Sequence, residues 1–188
     1  MSLEKNDLFK RIISEHAECH KVIEQAQSIT EKKNILEWLW NVVENEHHYK
    51  EEKLIYPVLA KKKKLMEGGP FCTLYFDEHI TNRPSDICKK ITNKDVSWQD
   101  HQIGFKANPT SLNIPLEEHR SLRDILIFLI EKKDILSDIE FLRNFESYVY
   151  LLKHHNVKEE KCFFRVCELC LSQAELDQIY ENWVTFSL

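Results

Sequence analysis

The chain is poor in the residues that make tight turns, because only three glycines and five prolines occur among its 188 residues. A fold built from many short strands needs frequent turns, so this composition argues against an all-β protein. No apolar run approaches the roughly 18 residues of a membrane span, and the N-terminal MSLEKNDLFK lacks the apolar core of a signal peptide. We therefore expect a helical protein of the cytoplasm that neither crosses nor binds a membrane.

An excess of positive charge and a disulfide framework are also missing. The formal net charge is -5, which gives no electrostatic reason to expect nucleic acid as a partner. The six cysteines are scattered among apolar positions, and the single CxxC, Cys167 and Cys170, has no second pair nearby. We interpret the cysteines as buried thiols with a structural role.

Apolar residues recur at helical spacing in segments at about 6–28, 32–66, 71–83, 116–132 and 138–170, and again from about 173. This pattern predicts an all-α fold, an up-and-down four-helix bundle with a short C-terminal helix, in one domain over 1–188. The stretch 84–115 has little periodicity and is predicted to be an inserted loop. Pro57 interrupts the second segment, where a kink is expected.

The two halves of the chain share a weak repeat. His16 is followed 31 residues later by His47-x-x-x-Glu51, and His119 is followed 36 residues later by His155-x-x-x-Glu159. At roughly 100° per residue, both members of each HxxxE pair fall on the apolar stripe of their helix. The inward-facing set then comprises seven residues: His16, His47, Glu51, His79, His119, His155 and Glu159.

Neighbouring polar residues fall less clearly. His48 and Glu52 are rotated toward the flank of the second segment, so we expect them to face solvent or to lie behind the inward residues. His20, one turn after His16, is an alternative to it.

The inward set predicts a metal site. A carboxylate buried among apolar side chains costs several kcal/mol unless it is compensated, and a cation shared by two carboxylates supplies that compensation. Imidazole and carboxylate without thiolate suit iron, zinc or manganese. Five imidazoles, two bridging carboxylates and a bridging oxygen fill eleven of the twelve positions around two six-coordinate irons, which leaves one open. A ferritin-like site needs two inward Glu-x-x-His pairs. Only Glu44 and His47 have that spacing, so we reject a ferritin-like site.

Four stretches, IISEHAECHKVI, HHYKEEKLIYPVL, GGPFCTLYFDEHITNR and YVYLLKHHNVKEEKCFF, together with PLEEHRSL, resemble the haemerythrin-like, or HHE cation-binding, domain family. The resemblance implies a non-haem di-iron centre. It makes His16, His47, Glu51, His155 and Glu159 its ligands, with His79 and His119 as candidates for the third helical region. The second carboxylate departs from the pattern, since KCFFRV follows it without a proline.

The resemblance further implies that two iron ions bind or sense dioxygen or a related small molecule such as nitric oxide. Two alternatives stay open: a di-iron redox or repair enzyme that acts on nitrosative or iron–sulfur damage, and an iron storage or sensing module. Zinc or manganese is a possible substitute for iron, and no protein partner is indicated.

Overall fold

The computed structural model describes residues 6–62 and 113–186, and nearly all of them are helical. This described part contains no β-strand, which agrees with the all-α prediction. Within the same residues, no helix is both long and apolar enough to cross a membrane. The predicted helix at 71–83 and most of the predicted loop lie outside the described residues. The up-and-down four-helix topology stays a prediction.

The first half of the described chain forms two helical stretches. Helix α1 spans Asp7–Gln25. Asn6 caps its N-terminus, and the Asn6 side chain accepts a hydrogen bond from the Leu8 amide. The second stretch changes its winding along its length. Its parts are α2 (Ile29–Asn34), α3 (Leu36–Leu39), a π-helix π1 (Trp40–His48), a second π-helix π2 (Glu51–Ile55) and α4 (Tyr56–Leu59).

The second half repeats this plan. Its elements are α5 (Asn113–Lys132), α6 (Asp138–Lys158), a π-helix π3 (Glu159–Phe163), α7 (Phe164–Cys170) and α8 (Gln173–Thr185). The loop predicted over 84–115 is wrong in its last three residues, because α5 begins at Asn113. Pro115 lies in the first turn of α5, where a missing amide hydrogen removes no helical hydrogen bond. Capping boxes at Ser137 and Ser172 start α6 and α8.

Each HxxxE pair ends in a π-helical turn. The Tyr56 amide donates to the Glu51 carbonyl, and the Phe164 amide donates to the Glu159 carbonyl, in both cases five residues back. Pro57, where the sequence predicts a kink, is the second residue of α4, which follows π2. Such π-helical turns widen the helix and recur at functional sites.

In the part of the chain that the structure describes, the buried side chains form two apolar clusters with a polar layer between them. In α1 the layer is a single residue, His16, which separates Ile12 from Cys19. In α6 and π3 it contains His155 and Glu159, with Leu152 on one side and Phe163 on the other. Because apolar packing holds both ends of these helices, the polar groups between them are fixed relative to one another.

Candidate metal centre

The polar layer brings together six of the seven residues that the sequence predicts. Four imidazoles and two carboxylates converge from α1, π1, π2, α5, α6 and π3, and each is at most 6% exposed. They are His16, His47, Glu51, His119, His155 and Glu159. His79 lies outside the described residues. These six residues form two groups that can hold metal ions, and both groups contain Glu51 and Glu159.

The first group, which we name position A, is formed by His16, His47 and one oxygen from each glutamate. The two imidazole Nε2 atoms lie 3.0 Å apart. His16 Nε2 lies 3.4 Å from Glu159 Oε2, and His47 Nε2 lies 3.7 Å from Glu51 Oε1. Ligand atoms at about 2.1 Å from one metal stand about 3 to 3.5 Å from one another. The four atoms of position A therefore fit a single cation.

The second group, position B, repeats this arrangement with His119 and His155. Their Nε2 atoms lie 3.0 Å apart. His119 Nε2 is 3.4 Å from Glu51 Oε2, and His155 Nε2 is 3.4 Å from Glu159 Oε1. Each glutamate thus turns one oxygen toward position A and the other toward position B. This is the arrangement of carboxylates that bridge two cations.

The carboxylate oxygens supply an independent test of whether these residues suit metal ions. All four oxygens of Glu51 and Glu159 are buried, and none accepts a well-formed hydrogen bond from the described residues. Buried carboxylates without donors are costly in a protein interior. Two cations between these oxygens and the four imidazoles would remove that cost, so the donor set fits a pair of metal ions.

The outer nitrogen of every imidazole meets a carboxylate. At position A, His16 Nδ1 is 2.9 Å from Glu160 and His47 Nδ1 is 2.9 Å from Glu15. At position B, His119 Nδ1 is 3.0 Å from Glu52 and His155 Nδ1 is 3.1 Å from Glu118. A carboxylate on Nδ1 fixes the proton there and directs the Nε2 lone pair inward, as in metal-ligating histidines generally.

Within each imidazole pair, the surroundings shift the two pKa values in opposite directions. Burial alone would lower the pKa of His16, but Glu159 and Glu160 outweigh it and raise this pKa to about 9. Burial lowers the pKa of its partner His47 to about 4. At position B burial again opposes the charged form, yet Glu159 and Glu118 raise the pKa of His155. The pKa of His119 falls well below its usual value because of burial. In each pair the surroundings therefore favour the protonated form of one imidazole, His16 or His155, over that of its partner.

The bridging glutamates also differ. Burial and the adjacent charge of Glu159 raise the pKa of Glu51 well above its usual value. Burial acts on Glu159 in the same direction, but the His155 and His16 cations outweigh it and lower its pKa to about 2. Without metal, the centre therefore favours protons on His16, His155 and Glu51, which bound cations would displace.

The expectation that His48 could face solvent is wrong, since His48 is fully buried and lies among the imidazoles. Its ring stacks on His119 with centroids 4.0 Å apart. The expectation assumed 100° per residue, whereas π1 winds more widely and brings both members of the His-His doublet inside. His20 stays outside the cluster and contacts Asn156 at 3.2 Å.

The structure adds residues that the sequence analysis does not single out. Glu15 and Glu118 each precede an inward histidine in the sequence, and each accepts from the histidine of the neighbouring stretch. Only the position of one helix against another identifies them as partners. Tyr56 is another addition, because its hydroxyl lies 3.3 Å from His119 Nε2.

A small cavity adjoins position A. Its volume is about 10 Å³, and Cys19, Val43, Leu152 and Asn156 line it together with His16 and His47. This is room for about one water-sized molecule. Asn156 donates through Nδ2 to His20, while its buried Oδ1 has no hydrogen-bond partner among the described residues.

Compared with protein-family models, with curated proteins and with solved structures, the chain shows no match.

Proposed function

We propose that the centre holds two iron ions, and that the protein binds or senses dioxygen or a related small molecule such as nitric oxide. His16 and His47 hold one metal, His119 and His155 hold the other, and Glu51 and Glu159 bridge them. In this proposal the helices form the up-and-down four-helix bundle of a haemerythrin-like domain. When bound, such a pair of irons supplies reversible redox chemistry and a place for a diatomic ligand.

The observation that carries the proposal is the two-fold arrangement of the donors. Each bridging carboxylate divides its oxygens between positions A and B at 3.4 to 3.7 Å from the imidazole nitrogens. A purely structural cluster would instead satisfy these oxygens with hydrogen-bond donors. The absence of thiolate favours iron, zinc or manganese over softer metals.

The protein's own residues prepare the site for a small molecule. The apolar clusters on both sides of the polar layer exclude bulk water, and the four outer carboxylates hold the imidazoles in place. The cavity beside position A offers a small space next to the centre. These features support binding of a ligand of one or two heavy atoms.

The test is metal analysis with visible absorption spectroscopy of protein from iron-supplemented cells, before and after reduction and exposure to air. We expect about two irons per chain, with bands of a bridged ferric pair that bleach on reduction and return in air. Glu159→Gln should lose the stoichiometric iron, whereas Glu46→Gln, on an exposed carboxylate of the same protein, should keep it. A chain that binds a single zinc, or no metal, would refute the proposal.

A further inference from the structure

A surface groove lies between the C-terminal part of α1 and the middle of α6, outside the polar layer. Its volume of about 510 Å³ exceeds that of any single side chain. The bottom of the groove is apolar, because Ile23, Ala26 and Phe145 line it and each is at most 6% exposed. The groove can therefore accept an aromatic side chain from another molecule.

An exposed aromatic side chain stands at the edge of this groove. Tyr150 lines the groove and is 66% exposed. The His154 ring packs against it from the next turn of α6, with ring centroids 4.5 Å apart. Tyrosine is enriched where proteins meet, since its rigid ring buries a large apolar area while its hydroxyl can stay in contact with water. Covering the Tyr150 ring with a second molecule is therefore favourable.

The side chains on either side of Tyr150 carry opposite charges. Glu146, one turn before it, and Lys153, one turn after it, are exposed and both line the groove. At about 100° per residue, both lie on the same side of a line that runs along α6 through Tyr150. Lys153 lies 3.6 Å from Glu24 of its own chain, but 48% of its side chain stays exposed, so it can meet a second carboxylate.

This charge pattern makes the face of α6 complementary to itself. A twofold axis beside Tyr150, perpendicular to α6, places a second α6 antiparallel to the first. Glu146 of one copy then lies opposite Lys153 of the other, and the same contact occurs a second time across the axis. The two phenol rings meet at the axis, next to both grooves.

We propose that this face of α6 binds a second copy of the chain, and that the two copies form a symmetric antiparallel dimer with Tyr150 at its centre. The phenol of each copy covers the groove of the other, and Glu146 and Lys153 form two equivalent ion pairs. The dimer depends on α1 and α6 and does not require the metal centre.

Sedimentation equilibrium of the full chain, in the presence of a reductant, tests the dimer. The average mass of the parent chain should rise with concentration from 22.5 kDa toward twice that value. Glu146→Lys places lysine opposite lysine at both contacts, and Lys153→Glu places glutamate opposite glutamate. Each variant alone should dimerise more weakly by about tenfold or more. An equimolar mixture of the two restores opposite charges at both contacts and should dimerise as the parent chain does.

A charge control and a second variant complete the test. Glu131→Lys, on an exposed carboxylate of α5, should leave the dimer unchanged. Tyr150→Ser should weaken it by about tenfold or more, as for a central aromatic side chain of an interface. Tyr49→Ser, at an exposed tyrosine outside the groove, is the matched control and should not.

Two results would overturn the proposal. A parent chain that stays monomeric at all concentrations would show that the groove does not bind a second copy and would leave it for a different partner. A dimer that forms equally well in the mixture and in each charge variant alone would place the contact on another face of the molecule.

Discussion

The Tyr56 hydroxyl lies 3.3 Å from His119 Nε2, the nitrogen that faces position B. The corresponding residue of the other half is Phe164, whose ring stacks against His16 at 6.4 Å. The phenol therefore competes with a metal for the same nitrogen. Because it has no counterpart at position A, its effect is confined to one half of the centre.

Replacing Tyr56 by Phe should tighten metal binding, since the metal then no longer has to displace the phenol from His119 Nε2. A hydrogen bond of about 1 kcal/mol corresponds to about fivefold in affinity, and the free energy of unfolding of the metal-free protein should fall by a similar amount. Competition with a chelator measures the affinity, and urea unfolding measures the stability. Weaker metal binding in this variant would show that the phenol assists the metal.

Replacing Glu51 by Gln should abolish metal binding without lowering the stability of the metal-free protein. Burial and the charge of Glu159 raise the pKa of Glu51 well above its usual value and so favour its neutral form without metal. A neutral amide of equal size should therefore leave the metal-free protein as stable or more stable. The same change removes a bridging carboxylate and should abolish binding of the metal pair. Urea unfolding of the chelator-treated protein and metal analysis give the two readouts. Unchanged metal content would contradict the bridging role.

The affinity for metal should rise with pH, because raised pKa values on His16, His155 and Glu51 favour protons that a metal must displace. The pKa of His16 is raised to about 9, so its stabilising charge is fully present below its ordinary pKa of about 6.5 and is lost as the pH rises toward 9. Near neutral pH we expect binding of the metal pair to release protons, that of His16 among them. Calorimetry in buffers of different ionisation enthalpy counts them. A pH-independent affinity would exclude this protonation pattern.

The sequence predicts the six converging residues because each one lies on or beside an apolar stripe at helical spacing, as His155 and Glu159 do. His48 escapes that reasoning, since a constant rotation per residue does not hold through π1. Its doublet with His47, followed closely by Pro57, is the signal that could have indicated altered winding. Glu15 and Glu118 escape for a different reason, because their partners belong to other helices and only tertiary packing brings them together.

The C-terminal helix α8 should influence position A. Trp183 donates through its indole nitrogen to Glu15 Oε1 at 3.1 Å, and the other oxygen of Glu15 contacts His47. Burial alone would raise the pKa of Glu15, but the bonds from His47 and Trp183 outweigh it and lower this pKa to about 2. Loss of the indole donor should therefore leave Glu15 less firmly placed to accept the hydrogen bond from His47 Nδ1.

Trp183→Phe should lower the metal affinity by about tenfold or less, the lower end of effects measured for outer partners of ligands. In proton NMR of the protein loaded with Co²⁺, the Nδ1–H resonance of His47 should shift while the resonances of position B stay in place. Ile179→Val, which trims the same apolar cluster without touching Glu15, is the matched control for packing. Equal shifts in both variants would mean that α8 acts through packing alone.

The cavity beside position A should control access of the small molecule. Cys19 lines it, and the corresponding residue of the other half, counted from His16 and His119, is the buried Leu122. Cys19→Leu therefore copies a side chain that the fold already accepts at the equivalent place. The larger side chain should fill a cavity of about 10 Å³ and weaken azide binding to the ferric protein by about tenfold or more, at a cost in stability of about 1 to 3 kcal/mol for overpacking. Leu122→Cys, the reverse exchange on the other side, should leave azide binding within a factor of about two, since it does not touch the cavity.

Azide titrations followed by visible absorption, with metal content measured on the same samples, compare the two variants. Equal azide affinities in Cys19→Leu and in the parent chain would place the open coordination position away from this cavity.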